Sequence, residues 1–220
     1  MLCLARDWRF MERRFIVEAF IAPENRPCQP ALRARTSVIG KLPWFGRNET
    51  RDRARQLYTQ VVDQARQPAF YRDLGVPDTI DGRFEMIVLH MVMMLRALRR
   101  DGDDGIELGQ LVFDVMMDDM DSSLREMGVG DLGVGRRVKA MAQGFYGRAT
   151  AYEAALATDE ETLDQALRRN LYATAEPVED DVAAMIVYVL REFAAIDAGV
   201  AMSATAGEFR FGAPPDRQEG

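Results

Sequence analysis

The chain has one histidine in 220 residues and two cysteines, Cys3 and Cys28, both close to its start. The remainder therefore holds no disulfide, no thiol nucleophile and no cysteine metal site. A lone His90 cannot build a metal centre without carboxylates, and neither serine nor cysteine is placed to use it as a base. Long apolar runs are missing as well. The longest, Met86 to Leu95, is ten residues including His90, whereas crossing a bilayer as a helix takes roughly 20. No segment shows sustained alternation of apolar and polar residues with β-branched enrichment, which argues against a sheet. Net charge is −7, which opposes general nucleic-acid binding because that requires a basic face.

What is present is helical patterning and an uneven charge. Residues 1–41 carry seven Arg and Lys41 against Asp7, Glu12, Glu18 and Glu24, a local +4 that leaves −11 for the remainder. They read as a peripheral extension or a mis-assigned start, with a membrane-surface helix as the alternative. No clean apolar core follows the charges, which opposes a secretory signal, and the four acids oppose a transit peptide. A helical domain is expected over 42–202, and a loose Gly/Pro-rich tail over 203–220.

Within the domain the apolar spacing predicts about six helices, at roughly 48–67, 82–100, 107–127, 134–157, 161–173 and 179–202. Asn48 or Thr50 would cap the first, and Pro68 would end it in a turn-rich connection. Thr158 with Glu161 has the spacing of a capping box for the fifth. The fold class is all-α: a single-domain helical bundle with flexible terminal tails.

Four constellations could carry chemistry or contacts. Asp114, Asp118 and Asp121 lie at i, i+4 and i+7 with Asp119 beside them, so one helix face gathers carboxylates. Such a face could hold Mg²⁺ in a small helical metal-dependent, lipid- or prenyl-binding enzyme. It could equally be solvated or paired to Arg125, four residues after Asp121, and the second reading is preferred, with no metal and no cofactor. Gly128-Val-Gly130-Asp-Leu-Gly133 matches the dinucleotide fingerprint literally. It follows a helix rather than a strand, so it reads as a helix stop and a new start. Of 13 methionines, eight fall between Met86 and Met127. They are either core filler or an adaptable groove for an apolar partner. Tyr146, Arg148 and Tyr152 combine aromatics and a guanidinium on one helix, the composition of an interface anchor or of ordinary packing.

The segments QARQPAFYRDLGVPDTIDGRFEMIVLH, FDVMMDDMDSSLREMGVGDLGVG and FYGRATAY together resemble a bacterial member of the ubiquinol–cytochrome c chaperone family. The likeness covers about Leu57 to Ala155, with weaker echoes at 168–172 and in the Phe209–Pro214 tail. It implies a non-catalytic chaperone for assembly of the respiratory cytochrome bc1 complex. Cytochrome b or another apolar bc1 subunit would be the client, and a second assembly factor or the membrane surface would be further contacts. It also implies a location in the bacterial cytoplasm, peripheral at the cytoplasmic face of the inner membrane. The expected partner-binding residues are Asp114, Asp118, Asp119, Asp121, Arg125, Tyr146, Arg148 and Tyr152.

Overall fold

The computed structural model describes residues 44–199 and 209–215. Among them are seven helices and no strand: α1 (Trp44–Ala65), α2 (Pro68–Arg72), α3 (Ile80–Arg100), α4 (Gly102–Glu126), α5 (Asp131–Thr158), α6 (Glu160–Asn170) and α7 (Glu179–Asp197). The expected all-α architecture is what forms. The expectations placed on residues 1–41 fall outside the described residues.

The bundle is organised around α3, which packs against α1, α4, α5 and α7. Every residue from Met86 to Leu95 is buried, so the helix that is apolar on all sides is the one enclosed on all sides. Each such aliphatic side chain contributes about 1.5–3 kcal/mol by leaving water. The methionines share this role: Met86, Met91, Met93, Met94, Met116, Met117 and Met120 all lie in the core, while Met127 is exposed. Of the two readings of the Met-rich helices, core filler is correct, and the groove is not formed.

Several boundaries differ from the sequence reading. Pro68 opens a short helix instead of a loop, because at the first helical position its missing N–H has no intrahelical partner to lose. α1 is already helical at Trp44, which places Asn48 and Thr50 inside it and not at its cap. The cap of α6 is Asp159, whose carboxylate accepts from the Thr162 amide at 2.8 Å. Thr158 still belongs to α5 and donates to the Ala154 carbonyl at 2.8 Å. α7 stops at Asp197 rather than near Met202, as Gly199 turns to φ +71°, the left-handed conformation that closes a helix. Gly128 does the same at φ +79° between α4 and α5. The GxGxxG string is thus a helix–turn–helix junction, as its context indicated.

Residues 209–213, read from the sequence as loose, lie on the bundle. Phe209 is 2% exposed and belongs to the core. The Gln64 amide donates to the Gly212 carbonyl at 2.8 Å, and the Gly212 N–H donates to Glu192 at 2.9 Å. Arg191 donates to the Ala213 carbonyl at 2.6 Å. This strap joins α1 to α7.

Candidate functional site

The acidic stripe lies on α4, and the structure gives its members different surroundings. Asp114 is half-buried and accepts from the Gln110 amide, one turn earlier, at 3.0 Å. Asp119 is exposed and accepts from the Tyr58 hydroxyl of α1 at 2.8 Å. Burial first, and then this carboxylate, raise the Tyr58 phenol far above its ordinary range, so the tyrosine remains a donor. Asp121 takes Arg125 at 2.6 Å, and Arg125 reaches on to Asp131 at 2.5 Å. Asp118 is exposed and makes no side-chain bond among the described residues. Each of the other three carboxylates thus has its own neighbour. Among the described residues no group of three or more His, Cys, Asp or Glu is placed to hold a metal ion. The aspartate-stripe alternative finds no converging geometry; the Arg125 pairing does.

The aromatic end of α5 divides in the same way. Arg148 reaches both carboxylate oxygens of Glu85 of α3 through Nε and Nη2, and donates through Nη1 to the Gly144 carbonyl at 3.1 Å. Glu85 is 6% exposed, and burial raises its carboxyl above the usual value although Arg148 pulls the other way. Tyr152 is fully buried, its phenol raised by burial first and by Glu85 second. Tyr146 is half-buried against Phe113 and Phe145, with ring centroids 5.9 and 5.6 Å away. A partner cannot touch Tyr152 in the folded chain, and Arg148 is committed inward. Both expected contact residues are thus engaged within the fold. Asp118, Asp119 and Arg125 are the members that face outward.

Sequence reasoning missed a buried polar chain. His90 is fully enclosed, with Nδ1 2.8 Å from the Met86 carbonyl and Nε2 2.8 Å from the Tyr188 hydroxyl. A carbonyl only accepts, so Nδ1 carries the proton and Nε2 accepts from Tyr188. The Tyr188 oxygen accepts in turn from Gln64 at 3.0 Å, the same amide that holds Gly212. Phe70 and Phe211 set ring edges on the imidazole, with centroids 5.3 and 5.0 Å away. Burial lowers the His90 pKa to about 4, so the ring is neutral at ordinary pH. The Met86 carbonyl is local, but the hydroxyl comes from α7 and one ring from the strap, and no local spacing announces either.

A family model described as ubiquinol-cytochrome C chaperone matches residues 72–211. The chain belongs to that family. The match runs from the end of α2 to Phe211, so it takes in α3 to α7 and part of the strap. The crystal structure of the Cbp3 homolog from Brucella abortus is similar at 34% identity and a TM-score of 0.65, covering 77% of this chain and 94% of that one. The ubiquinol-cytochrome-c reductase complex assembly factor 1 of Xenopus laevis is 25% identical over 118 residues, 54% of this chain and 59% of that protein. The protein of the same name in Mus musculus is 23% identical over 144 residues, 66% of this chain and 49% of the relative. This family member thus spans about half the length of the curated relatives it matches.

Proposed function

We propose that this family member is a non-catalytic assembly factor for the cytochrome bc1 complex. The observation that carries the reading is the similarity to the Cbp3 homolog, which extends over 94% of that chain at 34% identity. The curated relatives are named as assembly factors of the same complex, which supports a role without chemistry.

The client in this reading is an apolar membrane subunit, cytochrome b first. Contact is made by the outward side of α4 and the adjoining part of α5. Asp118 is exposed there, with Asp114 four residues before it and Asp121 three after it on the same face, and like charges at that spacing weaken a helix unless a cation answers. A cytoplasmic loop rich in Lys and Arg would supply one. No described helix is long and apolar enough to cross a membrane. In this reading the chain works from the cytoplasmic face of the inner membrane, where a second assembly factor could share the surface.

The test is a strain lacking the gene, complemented by wild type or by Asp118→Ala, with bc1 complex recovered from detergent-solubilised membranes as the readout. The variant is expected to melt within about 0.5 kcal/mol of wild type, as exposed substitutions do, yet to restore less complex. Normal bc1 levels without the gene would refute the assembly role. Full restoration by Asp118→Ala would refute the contact surface alone.

A further inference from the structure

The connection from α1 to α3 gathers three guanidinium groups around one hollow. Arg66 follows the end of α1, Arg72 closes α2, and Arg83 sits in the first turn of α3. With Pro68, Tyr71 and Asp78 they line a depression of about 500 Å³. The turn at Pro68 folds these segments back on one another, which is why cations distant from one helix face meet here. The cations repel one another, so something must answer them.

The answers within the chain are partial. Arg72 is held by Asp73 through two bonds of 2.7 and 2.6 Å, and its side chain is still 71% exposed. Arg83 donates through Nε to Asp78 at 2.6 Å, a pair 58% exposed on both sides. Exposed pairs of this kind contribute little and are easily exchanged. Arg66 is exposed and its side chain makes no bond among the described residues. The Tyr71 hydroxyl is already used, donating to the Ala65 carbonyl at 2.6 Å, so the ring serves as wall. Its phenol is pushed up to about 12 by burial, against the pull of Arg83 and Arg66, so both cations bear on the same ring.

We propose that this hollow binds a phosphate group. Guanidinium forks match oxyanions with paired N–H donors, and a tetrahedral phosphate accepts from several directions at once, which a planar carboxylate does not. The hollow is larger than the anion alone and has Tyr71 and Pro68 beside the cations. It therefore suits a phosphate ester whose organic part lies on that wall, either a lipid headgroup or a soluble ester. Asp78 occupies Arg83 when the ligand is absent and gives way when it binds.

Titration of the full chain with inorganic phosphate, followed by amide chemical shifts, tests the anion itself. Sedimentation with vesicles of equal parts phosphatidylglycerol and phosphatidylcholine, against phosphatidylcholine alone, tests the headgroup. Saturable shifts around Arg66 and Arg83 are expected, weakened about tenfold by Arg66→Gln, the loss of one charge-assisted contact. Asp78→Asn should tighten binding severalfold, a direction that a structural role for the Asp78–Arg83 pair would not give. Binding of phosphate without vesicles assigns a soluble ester, and binding to the anionic vesicles assigns a headgroup. If neither binds, or if Arg66→Gln and Arg83→Gln leave binding unchanged, the proposal is wrong.

Discussion

Arg148→Ala isolates the inward-facing ion pair of α5 and α3. It leaves the Glu85 carboxylate 6% exposed with no cation beside it. Removing one partner of a buried pair costs about 3–5 kcal/mol. Arg148 keeps 27% of its side chain in water, so its part is partly screened and about 2–3 kcal/mol is the expected loss near neutral pH. The pH dependence has a definite sign. Burial already holds the Glu85 carboxyl above its ordinary value, and Arg148 opposes that rise. Without the guanidinium the folded carboxyl rises further. The folded state then holds a proton that the unfolded chain releases, so stability falls as pH climbs from the usual carboxylate range through the folded value. Denaturant unfolding should show a deficit larger near pH ~8 than near pH ~5. Glu85→Gln combined with Arg148→Met removes both charges and should lose less than Arg148→Ala does. A wild-type midpoint for Arg148→Ala, or a deficit that grows on acidification, would refute the account.

Three further outcomes follow from the geometry. Gly212→Ala places a Cβ 2.5 Å from Glu192 Oε1 and 2.8 Å from Arg191 Nη2; these flexible side-chain ends can swing aside, so the change should cost no more than the hydrogen bond from the Gly212 N–H to Glu192, about 1 kcal/mol of unfolding free energy. His90 is held neutral with a pKa near 4, below its unfolded value, so its contribution is present above about pH 6.5 and is lost as pH falls towards about 4, by up to ~3 kcal/mol. His90→Gln should flatten the acid side of the stability profile in that window, and an unchanged slope would contradict the assignment. Tyr188→Phe removes both the donor to His90 and the acceptor for Gln64, and thermal unfolding should report a loss of about 1–3 kcal/mol.

The helical architecture was legible because apolar spacing is a local property: the all-round apolar stretch at Met86–Leu95 announced the central helix directly. Boundaries were less so. Pro68 serves equally as a breaker and as a first helical residue, and only the chain before it decides. Thr158 and Asp159 compete for one cap, and the charged carboxylate, which also accepts from the Thr162 hydroxyl at 2.7 Å, prevails. Gly199 did carry a readable signal, since a glycine past the last periodic residue is the usual helix stop. For the candidate surface, the Asp121–Arg125 pair was visible at i, i+4. The Glu85–Arg148 pair spans 63 positions and could not be. Asp119 likewise finds Tyr58 across 61 positions.

The strap gives the molecule a built-in spectroscopic probe. The sequence has a single histidine, and the Phe211 ring that covers it arrives from the far end of the chain. With Phe211 in place the imidazole is dry and stays neutral well into acid. Lift the strap, and water reaches the ring, so its proton affinity moves back towards that of free histidine. One imidazole resonance, followed against pH, would count docked and undocked molecules without any label. A version cut after Asp197 would keep all seven helices and lose that dryness. Its acid response would then belong to a different molecule from the one in the cell.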